Sequence, residues 1–225
     1  MTFRRHIILL MMFAAASFAA AQTSVQWRDS LKVINEMIET KPYSSDLHLR
    51  KAAINLEMGQ WEYAADEYGI VLGVEPDNPA ALFYRAYAYT GMRRYDLARK
   101  DYEEFLKLVP RNMEAMLGLA HVNTKLKRTT EALDQLNRLV ELYPDSAVVY
   151  VARAGVEKDM RAYDAALFDW TNAVMRAPDN TDYLLSKADI LLLLGRKEEA
   201  RECLERMVKL GVPRGPLREW FKRCR

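Results

Sequence analysis

The chain is poor in the residues that build chemical sites. Of 225 residues, two are cysteine, three are histidine and nine are glycine. No set of His, Cys and carboxylates has the spacing of metal ligands. No glycine-rich loop is present to cradle a phosphate. Serines are few, and none sits in a nucleophile-elbow pattern. These absences exclude metal, phosphate-loop and serine-nucleophile chemistry, and no cofactor is expected. A long apolar run is missing too. The stretch from Ile7 to Phe18 is short beside the roughly 20 residues a membrane span needs.

Charge of one sign is also lacking. The chain carries 33 Lys and Arg against 31 Asp and Glu. Even that small excess belongs to the first 21 residues. Arg4 and Arg5 precede the apolar run, and Ala19-Ala20-Ala21 supplies small residues at both positions of a cleavage site. This is the pattern of a secretory signal peptide over 1–21, so the protein is expected to be exported, periplasmic or extracellular. No cysteine lies near the cut, which excludes a lipid anchor there. Removing 1–21 leaves 31 basic and 31 acidic residues. Without a basic excess, nucleic acid is not an expected partner.

What the chain has is a ruler. Pro42, Pro76, Pro110, Pro144 and Pro178 stand 34 residues apart, and Val212 falls on the next beat. A fixed period of this length marks stacked repeats. With proline at position 32, position 8 reads Ala52, Ala86, Ala120, Ala154 and Ala188, and position 20 reads Ala64, Ala98, Ala132, Ala166 and Ala200. Small residues in register allow two helices to cross closely. Position 24 is bulky: Tyr68, Tyr102, Leu136, Trp170 and Leu204. Apolar recurrence at three and four residues predicts helices. Short turns are expected at Gly59-Gln60, Arg93-Arg94, Lys127-Arg128, Arg161-Ala162 and Gly195-Arg196. Each proline ends a second helix. Asp77-Asn78, Asp145-Ser146 and Asp179-Asn180 then offer capping side chains to the helix that follows.

This pattern resembles the tetratricopeptide-repeat family, whose unit is a 34-residue helix–turn–helix. The first-helix tryptophan of that signature is absent, and its slot holds His48, Leu82, Met116, Tyr150 and Leu184. The resemblance implies an all-α, right-handed α-solenoid of helix–turn–helix repeats over 45–78, 79–112, 113–146, 147–180 and 181–214. Residues 22–44 are expected to form a half-repeat capping helix, and 215–225 a closing helix carrying Leu217, Trp220 and Phe221. Repeats and caps together leave no room for a catalytic domain, so no enzyme is expected. The family's concave face implies a non-catalytic protein–protein interaction scaffold that holds an apolar or aromatic peptide segment. The groove residues are then Phe83, Tyr84, Tyr87, Leu117, His121, Val151 and Lys158. The lysine–asparagine clamp that some members use for a terminal carboxylate is missing.

Other columns read as structure. Positions 7 and 23 carry Lys51/Glu67, Arg85/Asp101 and Arg153/Asp169, which predicts ion pairs across the two helices of one repeat. His48 occupies a core slot and is expected to be a satisfied packing histidine. Met58, Met92, Leu126, Met160 and Leu194, at constant phase, read as core. Cys203 and Cys224 are either a disulfide tying the closing helix to the last repeat or two free thiols; sequence leaves both open. The carboxyl end carries Lys209, Arg214, Arg218, Lys222, Arg223 and Arg225 against Glu219. It offers the alternative function, docking on an anionic membrane surface or an acidic partner.

Overall fold

The computed structural model describes residues 26–225; the expected leader lies outside them. All regular structure among the described residues is helical. Helix α1 spans 26–40. It is followed by α2 (Ser45–Glu57), α3 (Trp61–Val74), α4 (Pro79–Gly91) and α5 (Tyr95–Leu108). Then come α6 (Met113–Lys125), α7 (Thr129–Leu142), α8 (Ala147–Asp159), α9 (Tyr163–Arg176), α10 (Thr181–Leu193), α11 (Lys197–Lys209) and α12 (Arg214–Arg223). The helices form two compact units, one ending at Val109 and the other beginning at Pro110.

Within each unit, a first helix packs most extensively on the second helix of its own pair, as α2 does on α3 and α8 on α9. The second helix then packs on the next first helix, as in α3 with α4, α7 with α8 and α9 with α10. The alanine columns explain this. All ten alanines are at most 2% exposed, so backbones meet where they cross. The bulky column at Tyr68, Tyr102, Leu136, Trp170 and Leu204 is buried beside them.

Each pair turns on the same device. The amide of Gln60 donates to the Asn55 carbonyl at 2.8 Å and that of Gly59 to Leu56 at 2.9 Å. The same two bonds recur at Arg94, Arg128, Ala162 and Arg196. This double C-terminal cap needs a left-handed residue between. Gly59 and Gly195 supply it with φ of 69° and 75°, but Arg93, Lys127 and Arg161 hold φ near 60° without being glycine. Entering the next repeat, Asn78, Asn112 and Asn180 each accept backbone amides as N-caps, at 2.8–3.1 Å. Ser146, expected to cap, makes no such bond, while Asn112 caps although its predecessor is not aspartate.

The polar columns meet as their signs require. Asp101 accepts from Arg85 Nε and Nη2 at 2.7 and 2.8 Å, and Asp169 from Arg153 at 2.7 Å twice. Lys51 Nζ lies 2.7 Å from Glu67 Oε1. Glu67 also faces His48 Nδ1 at 2.5 Å, and His48 Nε2 donates to the Pro42 carbonyl at 3.0 Å. His48 is therefore a buried packing residue with both ring nitrogens engaged. The Met58/Met92/Leu126/Met160/Leu194 column differs from expectation. It occupies the C-cap places, half-buried rather than core, and Met160 is 50% exposed.

At the carboxyl end, α12 packs on α11 through Leu217 and Cys224, both buried, with Trp220 and Phe221 half-buried alongside. Cys203 and Cys224 are free thiols. Burial raises both thiol pKa values.

Candidate functional site

The second unit contains an open groove of about 450 Å³ between first helices α6 and α8. One wall is Leu117, Ala120, His121, Thr124 and Lys125, the other Ala152, Gly155, Val156, Lys158 and Asp159. Leu136 and Trp170 form the floor. The walls follow from helical spacing. Leu117, His121 and Thr124 stand at i, i+4 and i+7 on α6, and Gly155 and Lys158 take the matching phase on α8. Gly155 leaves a gap, since a Cβ built there meets nothing within 4 Å.

The groove has an apolar base and a polar rim. The Lys158 ammonium lies 2.7 Å from Asp189 on α10 and so is partly neutralised. Lys125 has no carboxylate partner among the described residues. Partial burial, then the nearby Lys125 charge, hold the His121 pKa below its ordinary value. Its imidazole is neutral at neutral pH and both donates and accepts. On the floor, the indole N–H of Trp170 is buried and donates to no group among the described residues.

The other predicted site residues divide between the units. Phe83, Tyr84 and Tyr87 lie on α4 in the first unit. Phe83 is half-buried, its ring 5.4 Å from Phe105 and 5.9 Å from Tyr102, so it is mainly a packing residue. Tyr84 and Tyr87 are 45% and 49% exposed, Tyr84 stacked on Tyr68 and Tyr87 edge-on to Trp61. Leu117, His121 and Lys158 share the α6–α8 groove. Val151 is half-buried on α8 outside its lining. Trp170, from the bulky column at position 24, joins the site as well.

Residues 88–147 and 153–214 match the Tetratricopeptide repeat family model. The chain is a tetratricopeptide-repeat protein. Solved structures agree with that fold. A MamA protein superimposes with a TM-score of 0.66 at 18% identity, covering 78% of this chain and 94% of its own. YrrB, described as a TPR protein with an unusual peptide-binding site, gives 0.61 at 19% identity over 79% of this chain and 92% of that one. A tetratricopeptide repeat protein from Parabacteroides merdae gives 0.64 at 19% identity over 90% and 79%. No curated protein is similar enough in sequence to count as a relative. Among the described residues of this tetratricopeptide-repeat protein, no helix is long and apolar enough to cross a membrane.

Proposed function

We propose that this protein is a non-catalytic interaction scaffold that holds an apolar or aromatic peptide segment against its first helices. The carrying observation is the α6–α8 groove, with its apolar base, polar rim and about 450 Å³ of open volume. That volume suits one or two large side chains, and concave apolar sites with a few polar groups are the usual form of a binding site. Neutral His121 and Thr124 stand where peptide backbone groups would need partners. In the first unit, the half-exposed Tyr87 holds the repeat position that His121 and Gly155 hold in the second. The protein works outside the cytoplasm, after cleavage behind Ala21; the support is the charge and apolar pattern of 1–21.

The test is selection from a displayed library of extended peptides on the chain from Gln22, repeated on Gly155→Leu. A Cβ at 155 meets nothing within 4 Å, so a leucine there can be built into the groove from its wall. The wild type should enrich peptides with a central aromatic or large aliphatic residue, and Gly155→Leu should lose them. Recovery of the same peptides by the plugged variant refutes the reading. Amino-terminal sequencing of secreted protein should begin at Gln22; a retained leader refutes the export reading.

A further inference from the structure

A second concavity in the second unit has the opposite chemistry. It measures about 520 Å³ and is lined by Arg201, Arg214, Arg218, Phe221, Lys222 and Arg225, with Gly215 at its edge. Arg214, Arg218, Lys222 and Arg225 follow one another at i, i+4, i+8 and i+11 on α12 and its end. At about 100° per residue they occupy one arc of roughly 80°. Phe221 stands at the border of that arc, between the cations and the apolar face that packs on α11. Arg201 reaches the same hollow from α11.

Two carboxylates offset part of the charge. Glu205 lies 2.5 Å from Arg214, and Glu219 lies 2.8 Å from Lys222. Arg201, Arg218 and Arg225 have no carboxylate partner among the described residues. The Arg214 guanidinium is further fixed by its place over the Phe221 ring, 5.1 Å from the centroid. Two other arginines of this unit are engaged internally, Arg153 with Asp169 and Arg176 with the Tyr150 ring at 4.1 Å. Arg201, Arg218 and Arg225 instead line one hollow together.

We propose that this hollow binds a phosphate ester, with its phosphoryl group among Arg201, Arg218 and Arg225 and its organic part against Phe221. The stoichiometry favours phosphate over carboxylate. Each guanidinium presents parallel N–H donors to oxyanions, and a phosphomonoester offers three oxygens to three guanidiniums where a carboxylate offers two. The aromatic wall explains why an ester is preferred to the bare ion. The site is separate from the α6–α8 groove and does not depend on that reading.

The experiment is calorimetric titration of the chain from Gln22 with phenyl phosphate, and in parallel with benzoate, at low salt. The variants are Arg201→Gln with Arg218→Gln, and a control pair, Lys100→Gln with Arg138→Gln, that removes equal charge from exposed sites elsewhere. All four side chains are exposed, so both doubles should fold. Phenyl phosphate should bind the wild type and the control alike, and bind the pocket double roughly tenfold or more weakly. Co-sedimentation with phosphatidylcholine vesicles containing phosphatidic acid, competed by phenyl phosphate, would make a lipid headgroup the source. Phenyl phosphate binding without co-sedimentation would make it a soluble ester. Equal weakening in both doubles, benzoate binding as tightly as phenyl phosphate, or no binding of phenyl phosphate would overturn the proposal.

Discussion

Two glycines in first helices show how one residue type carries opposite meanings. A Cβ at Gly91 would lie 2.9 Å from the Trp61 ring, whereas one at Gly155 meets nothing within 4 Å. Gly155→Ala should stabilise the fold by about 0.5–1 kcal/mol, because alanine restricts the unfolded chain and suits a helix. Gly91→Ala gains the same local term but must displace an indole held by Tyr87, and should destabilise by about 1–3 kcal/mol. Thermal unfolding of the two variants should move in opposite directions; parallel shifts would contradict the packing. Glu157 offers a second residue-scale check. Burial first, then repulsion from Asp169, raise its pKa from 4.5 to about 7, with Arg153 partly opposing. A carboxyl raised in the folded state binds protons that the unfolded state has released. Its stabilisation is full below about 4.5 and is lost as pH rises to about 7. Glu157→Gln should therefore show a flatter fall of unfolding free energy across that window than the wild type. Identical pH profiles would remove the buried-carboxyl assignment.

At the scale of elements, the repeat is held by its ends as much as by its faces. Asn112 accepts the Ala115 amide at 2.8 Å, and Ser146, the equivalent residue one repeat later, accepts none. Asn112→Ala should cost about 1 kcal/mol and Ser146→Ala much less, read by denaturant unfolding. Equal losses would show that the residue type, not the bond, matters. The helix pairs were legible in the sequence because one 34-residue ruler fixed every column at once. The ion pairs were legible because a base at position 7 and an acid at position 23 occur in the same three repeats, as Lys51/Glu67, Arg85/Asp101 and Arg153/Asp169. The turns were legible only in place. Arg93, Lys127 and Arg161 adopt the left-handed conformation that glycine takes in the first and last repeats, and nothing in a basic side chain announces it. There the double cap outweighs a conformational cost of roughly 1–2 kcal/mol.

For the whole molecule, fold and site were legible to different depths. Leu117, His121 and Lys158 could be placed on a groove because position within a repeat decides which way a residue faces. The groove itself could not, since its width depends on how far α6 stands from α8 and on Gly155 leaving space between them. Trp170 stands in the bulky column at position 24, and becomes a floor only because that gap reaches down to it. The two concavities should also respond differently to salt. Peptide capture in the apolar groove should persist as ionic strength rises, while phosphate binding among the arginines should weaken sharply. The most direct test of the central claim is an amide-resolved NMR titration of the chain from Gln22 with a peptide selected as above. Shifts concentrated at Leu117, His121, Thr124, Gly155 and Val156 are the predicted result. Shifts confined to the second helices α7 and α9, with those five residues unmoved, would contradict it.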